Sequence, residues 1–289
     1  MADDPAWWAL TSDVLTLRYD FMRHSLIGTM LVGAACGLLG CFIILRRLAL
    51  FGDALGHAVL PGVMLGYLWG GKAFFAIFAG AVVTGLMAAA LVGWIPRASR
   101  HRSDTAIGIV FTGFFGAGVA LLSCYQMGTS GVTTFLFGRA LAIGPSEVVH
   151  AAWMLAGVVL FLTLAYRPMV WMTFDPVGAV AQGVPVGALT GILMVALTGT
   201  VVVSLPIVGA VLVVALLVIP GATAYLLVDR LAPMFLIAAI VGAVSSLGGL
   251  LLSHMFAWAS GAAMVLAAAF CFVMALMWNL SRRKYACLG

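Results

Sequence analysis

Residues 46–62 read Arg46-Arg-Leu-Ala-Leu-Phe-Gly-Asp53-Ala-Leu-Gly-His57-Ala-Val-Leu-Pro61-Gly62. They place a carboxylate and an imidazole four residues apart in an almost wholly apolar sequence. On a helix, positions i and i+4 share one face, so Asp53 and His57 are expected to lie side by side. Ionisable groups inside membrane segments are rare and unfavourable, which favours a substrate or ion pathway. Asp and His also suit a borderline divalent metal as oxygen and nitrogen ligands.

The composition is that of an integral membrane protein. Of the 289 residues, 64% are hydrophobic and 8% are charged, and the mean hydropathy is +1.20. A soluble domain carries about 25% charged residues, so there is no room for a sizeable soluble domain. The net charge of +5 does not indicate nucleic acid, because the basic residues lie in short clusters between apolar spans. The five cysteines include no CxxC pair and predict no disulfide framework.

The apolar segments predict an all-α, polytopic membrane fold. A helix needs about 20 mainly apolar residues to cross the bilayer. The chain has nine such segments, and merging or splitting one pair of them would give eight or ten spans. Glycine series such as Gly33-x-x-x-Gly37-x-x-Gly40 and Ser245-Ser-Leu-Gly248-Gly249 favour close helix packing. The sixth and seventh segments are expected to meet around Pro206. The nine predicted spans are 25–45, 51–69, 73–94, 105–126, 148–166, 187–205, 207–228, 233–253 and 258–280.

Charge placement predicts the orientation of the chain. With the N-terminus outside, ten Lys and Arg residues fall inside and four fall outside, which favours N-out and C-in. Residues 1–24 mix tryptophans with charged residues and predict an N-terminal segment at the membrane interface. Residues 25–280 form the predicted transmembrane domain, and residues 281–289 form a cytosolic tail.

His57 is expected about 15 Å beyond Arg47, near the middle of the membrane, and Asp53 lies one turn closer to the inner side. Pro61 and Gly62 follow directly, and a proline inside a span removes a backbone hydrogen bond and allows a kink. Pro220 is a second predicted kink. Two plainer interpretations stay open: Asp53 is only the N-cap of the second span, and His57 only bonds a neighbouring helix. Two ligands are also an incomplete metal site, so other helices, water or a symmetry mate must complete it.

The inner segment from Phe174 to Pro185 predicts a short helix between two spans. Asp175 can cap it, Pro176 can take its first position, and Gly183 can end it. Such a helix is either a docking element or a plain connecting turn. No Gly-x-x-x-x-Gly-Lys-[Ser/Thr] loop, nucleophile elbow or His-Glu-x-x-His motif occurs. Energy for uphill transport must therefore come from an ion gradient or from another subunit.

The stretch from Leu45 to Gly62 resembles the hallmark of the ABC-3 family, the permease subunits of bacterial ABC importers for zinc, manganese or iron. Three further blocks resemble the family in order, and the resemblance runs from about residue 21 to 278. The blocks are Asp104-Thr-Ala-Ile-Gly-Ile-Val-Phe111, Phe135-Leu-Phe-Gly138 and Val208-Gly-Ala-Val-Leu-Val-Val-Ala-Leu-Leu-Val-Ile-Pro-Gly-Ala-Thr-Ala224.

The resemblance implies a type II importer-like homodimer around a central pathway in the bacterial inner membrane. Two cytosolic ATPase subunits would bind below it, and a periplasmic or surface metal-binding protein would deliver the ion from above. The family's Asp-x-x-x-His pair, associated with metal passage, falls on Asp53 and His57. The family's cytosolic coupling helix falls on residues 174–184. Val177 stands at a position where the family often has an acidic residue. The implied coupling residues are Phe174, Asp175, Pro176, Val177, Ala179 and Gly183.

The resulting hypothesis is a transport subunit, not an enzyme, that moves zinc or manganese, with iron possible, by alternating access and holds no permanent cofactor. Asp53 and His57 would form a transient metal site, and Pro61, Gly62 and Pro220 would act as a gate or hinge. One rival is a permease for a larger chelate, such as cobalamin or a siderophore. The other is an ion-driven secondary metal transporter that works alone.

Overall fold

The structure, a computed structural model, describes residues 20–71, 73–99, 103–125 and 138–286. These residues form helices joined by short turns, because a backbone inside a bilayer must satisfy its own hydrogen bonds. The helices are α1 (Asp20–Leu45), α2 (Ala49–Ala58), α3 (Leu60–Gly70), α4 (Phe74–Ala98), α5 (Ser103–Cys124), α6 (Pro145–Leu164), α7 (Tyr166–Phe174), α8 (Pro176–Ala181), α9 (Val186–Val208), α10 (Ala210–Leu227), α11 (Leu231–Phe256) and α12 (Ser260–Ala286).

The described residues contain nine helical segments long and apolar enough to cross a membrane, as predicted. Every boundary lies within five residues of its predicted position, and α2 with α3 forms one interrupted span, Ala49–Gly70. The largest difference is at the start, where α1 begins at Asp20. Residues 20–24 are therefore part of the same helix as the first span, and a position of residues 1–24 at the membrane interface stays a prediction. Residues 1–19 lie outside the described residues.

The connection between the sixth and seventh spans differs from the prediction. Pro206 lies inside α9, which continues to Val208. The chain turns at Gly209, where φ is 80°, a conformation that glycine adopts without the steric penalty of a side chain. The backbone N–H of Arg139 donates to the Pro206 carbonyl at 3.3 Å, so the segment before α6 packs against this corner.

The centre of the bundle is α1, which packs closely against α10 and α11. A Cβ atom at Gly33 would overlap the backbone of Gly242, and one at Gly40 would overlap the carbonyl of Leu217. Small residues let helix backbones approach closely in membranes, where packing replaces the hydrophobic effect as the source of association. The glycine series of α1 therefore has the packing role that the sequence predicts.

The connections gather at two ends of the bundle in the alternating order that the spans require. At one end, Phe74 at the start of α4 stacks on His150 near the start of α6. At the other end, Leu45, Phe174 and Asp229 line one cavity of about 310 Å³. Residues 135–137, the Phe-Leu-Phe part of the family block that ends at Gly138, lie outside the described residues.

Candidate metal pathway

Helix α2 brings Asp53 and His57 together in the first half of an interrupted span. The Nε2 atom of His57 lies 3.7 Å from Oδ1 of Asp53. Because this distance is less than twice a typical metal–ligand distance of about 2.1 Å, one divalent ion can contact both atoms. The Asp53 side chain is 50% exposed and that of His57 is 13% exposed, so the carboxylate is the accessible member of the pair.

The two plainer interpretations do not fit this geometry. Helix α2 begins at Ala49, so Asp53 lies about one turn inside the helix and is not its N-cap. The Nδ1 atom of His57 is buried and has no hydrogen-bond partner among the described residues, so a bond to a neighbouring helix does not explain this side chain. A buried polar atom without a partner is unfavourable. An ion held between Nε2 and Asp53 would not supply a partner for Nδ1, which is the other ring nitrogen.

Two phenylalanines of α5, which the sequence did not single out, hold the imidazole of His57. The ring centroids of Phe111 and Phe115 lie 5.1 and 5.2 Å from that of His57, both edge to face. The two phenylalanine rings stack on each other at 6.0 Å. Their spacing of four residues within an apolar span was the available signal, since it places both rings on one helical face. The contacts fix the orientation of the imidazole beside Asp53.

The helix is interrupted at Val59, directly after the pair. Helix α2 ends at Ala58 and α3 begins at Leu60. Pro61 has no N–H group and cannot donate to the His57 carbonyl one turn earlier. Gly62 is explained by packing, because a Cβ atom there would overlap the carbonyl of Gly80 on α4. Pro220 lies inside α10, which continues to Leu227, and a hinge or gate at these three positions stays a prediction.

The pair supplies only two ligands. Across the described ranges, no group of three or more His, Cys, Asp and Glu side chains is placed to hold a metal ion. The remaining coordination positions must therefore be filled by water, by backbone oxygens or by a second copy of the chain. A metal ion that has few protein ligands is bound weakly, and weak binding allows the release that transport requires.

The short inner helix has the local structure that its sequence predicts. Oδ1 of Asp175 accepts a hydrogen bond from the Gly178 N–H at 2.8 Å, and Pro176 takes the first helical position. Gly183 follows the helix with φ of 78°, and the Val184 N–H donates to the Ala179 carbonyl at 2.9 Å. This cap at each end defines α8 as a rigid element between two spans.

Helix α8 presents an apolar surface at its end of the bundle. Val177 is 80% exposed, and Phe174 and Val180 are also mostly exposed. Ala179, by contrast, is fully buried, so it anchors the helix and cannot itself contact a partner. Exposed apolar side chains grouped on a short, capped helix are typical of a protein contact surface.

The chain matches a known protein family and several named proteins. The family model for the ABC 3 transport family matches residues 18–279. The manganese transport system membrane protein MntC of Halalkalibacterium halodurans is 42% identical over 267 residues, which cover 91% of this chain and 89% of that protein. A probable iron transport system membrane protein of Haemophilus influenzae is 34% identical over 263 residues, covering 91% of this chain and 95% of that protein.

A solved structure shows the same fold. PsaBC from Streptococcus pneumoniae, solved in complex with Fab, matches with a TM-score of 0.84 and 35% identity, covering 92% of this chain and 94% of that chain. These similarities support a permease of a metal importer and do not support the chelate permease or the lone secondary transporter. The chain belongs to the ABC 3 transport family.

Proposed function

We propose that the ion carried by this metal-importer permease is manganese(II), and that it passes through a transient site formed by Asp53 and His57. The named manganese proteins among its relatives support this choice, since one is 42% identical over most of both chains. The probable iron transport protein is less similar, at 34% identity. The observation that carries the proposal is the 3.7 Å approach of His57 Nε2 to Asp53 Oδ1 inside an apolar span.

The chemistry of the pair suits manganese as a passing ion. Carboxylate oxygen and water are ligands that suit Mn²⁺, and a half-exposed Asp53 offers the oxygen. Mn²⁺ stands at the weak end of the divalent series, whereas Zn²⁺ binds imidazole more strongly. A site with two protein ligands therefore holds Mn²⁺ weakly enough to release it, while the same site retains Zn²⁺ longer.

The remaining assembly follows from the family. Two cytosolic ATPase subunits bind the exposed apolar residues of α8, and a metal-binding protein delivers the ion at the opposite end of the bundle. Two copies of the chain enclose the pathway, and the second copy supplies ligands that one copy lacks. The chain lies in the bacterial inner membrane with its N-terminus outside and α8 in the cytosol. ATP binding and hydrolysis in the partner drive alternating access, and Pro61, Gly62 and Pro220 absorb the change of helix direction.

Metal uptake by matched single variants tests the proposal. Asp53→Asn and His57→Gln should each reduce manganese uptake about tenfold or more in cells with equal protein levels, because the first removes the carboxylate charge and the second removes the imidazole nitrogen. Asp229→Asn and His254→Gln are the matched controls, since both side chains are exposed at the ends of helices. Unchanged uptake in both Asp53→Asn and His57→Gln would refute the site. Uptake that zinc or iron supports better than manganese in the unmodified protein would refute the choice of ion.

A further inference from the structure

We propose that a groove between α4, α6 and α9 binds one phospholipid whose headgroup carries a primary ammonium. Two cavities of about 370 and 360 Å³ make up the groove. They share Phe74, Phe78, His150 and Val203, so they are continuous. The site is separate from the Asp53–His57 pair and from α8.

The apolar part of the groove matches one acyl chain of one leaflet. Along α6 it extends from Ser146 to Val158, which is about 18 Å at the helical rise per residue. Half of a typical hydrocarbon core is about 15 Å. Met154 and Ala196 line its walls, and Trp153 at its edge is 74% exposed, so the groove opens sideways toward lipid.

The polar end carries charges complementary to a zwitterionic headgroup. Arg139, Ser146, Glu147 and His150 line the cavity where α4 and α6 begin. A guanidinium binds phosphate oxygens strongly, and a carboxylate accepts hydrogen bonds from a primary ammonium. Neither Arg139 nor Glu147 forms an ion pair within the part of the chain that the structure describes. The only polar side-chain bond within this group is from the Ser146 hydroxyl to Oε2 of Glu147, at 3.0 Å.

A buried hydroxyl gives independent support for a ligand in the groove. Thr200 lines the deeper cavity and is 1% exposed, yet its Oγ1 atom has no hydrogen-bond partner among the described residues. Buried hydroxyls are normally satisfied. Rotation of the Thr200 side chain toward the cavity would let an ester carbonyl of the lipid, which lies below its phosphate, accept a hydrogen bond from this hydroxyl. The ring of Phe74 stacks on that of His150 at 3.8 Å and joins α4 to α6 above this point.

A larger side chain in place of a glycine on α9 can fill the groove without a clash with the rest of the protein. An added Cβ atom at Gly199 meets nothing within 4 Å, and the same is true at Gly191, which lies outside the groove on the same helix. Gly199→Leu should displace the acyl chain, whereas Gly191→Leu should not. Both substitutions replace glycine by a better helix former, so the comparison isolates occupancy of the groove.

Native mass spectrometry of the purified, delipidated full chain titrated with defined lipids measures the binding. We expect one phosphatidylethanolamine per chain, bound on the order of tenfold more tightly than phosphatidylcholine or phosphatidylglycerol, because only the first offers N–H donors to Glu147. Arg139→Ala and Gly199→Leu should abolish this one-lipid peak, and Glu147→Gln should remove the preference for phosphatidylethanolamine.

Three results would overturn the assignment. In one, the three lipids bind the unmodified chain equally. In another, Gly191→Leu loses as much lipid as Gly199→Leu. In the third, Gly199→Leu changes the number of chains per particle and leaves the lipid count unchanged, which would make the groove an interface between two copies.

Discussion

Arg46 donates hydrogen bonds to the hydroxyl of Thr190 through both terminal nitrogens, each at 3.4 Å. The Thr190 hydroxyl in turn donates to the sulfur of Met172 at 3.5 Å. Burial lowers the pKa of the Arg46 guanidinium below its ordinary value, because desolvation disfavours the charged form. Arg46 precedes the helix of the metal pair, and Met172 lies on α7 next to α8. The contact therefore connects the ion pathway with the proposed ATPase docking helix.

Removing the hydroxyl in the middle of this connection should weaken coupling. Thr190→Val keeps the side-chain volume and removes all three of these hydrogen bonds. We expect metal-dependent ATP hydrolysis by the reconstituted importer to fall about two- to tenfold, because the two contacts from the charged Arg46 are long and therefore weak. Thr112→Val is the control, because that hydroxyl bonds only the Gly108 carbonyl of its own helix at 2.8 Å. Equal ATP hydrolysis by Thr190→Val and the unmodified protein would show that the contact is structural only.

Truncation of the aromatic support should disorder the metal pair. Phe115→Ala removes a ring 5.2 Å from the His57 ring and lets the imidazole leave Asp53. We expect manganese uptake to fall about two- to tenfold, the value of one aromatic contact. Phe270→Ala, at an exposed position on α12, serves as the control for loss of a phenylalanine. The prediction is wrong if uptake per folded protein is the same in both variants.

A charge on the apolar surface of α8 should prevent docking of the ATPase. Val180→Glu buries a carboxylate in the proposed interface, which is unfavourable without a partner charge. Val180 lies on α8 and is 62% exposed. We expect co-purification of the ATPase subunit to decrease at least about tenfold, an effect of about 1.4 kcal/mol or more. Gln182→Glu adds the same charge at an exposed position just after the helix and should bind normally. If Val180→Glu still recovers the full amount of ATPase, the docking surface lies elsewhere.

Two glycines that look alike in the sequence should differ in their effect on stability. Gly33→Ala places a methyl group against the backbone of Gly242, whereas Gly248→Ala meets nothing within 4 Å. Overpacking of this kind destabilises by about 1–3 kcal/mol. The melting midpoint of the purified protein should therefore fall for Gly33→Ala and stay level or rise for Gly248→Ala. A similar midpoint for both variants would contradict the observed packing of α1 on α11.

The sequence correctly predicted the structural features that depend on residues close together along the chain. The spans, the common face of Asp53 and His57, the break near Pro61 and the cap at Asp175 all follow from patterns within about one span. Pro206 was wrongly expected to join two spans. Helix α9 continues through Pro206 to Val208, and the chain turns at Gly209, which adopts the positive φ of the turn.

Contacts between distant segments could not be predicted in this way. The side chains that surround His57 come from α5, and Thr190 reaches Arg46 from a helix far along the chain. In a soluble protein, the apolar face of a helix would indicate its packed side. In a membrane, lipid is as apolar as the core, so the apolar pattern does not distinguish a buried face from a lipid-facing one.

By itself, the sequence determined that the chain crosses the membrane, where each span lies, and which two ionisable side chains share a face at mid-membrane. These properties depend on local helical geometry and on the length of apolar segments. Only the tertiary structure decided that phenylalanines hold His57, that Arg46 reaches Thr190, and that Arg139, Glu147 and Thr200 border one groove. Those relationships depend on which helices pack side by side, and that choice is made by close steric fit between small and large residues from distant parts of the chain.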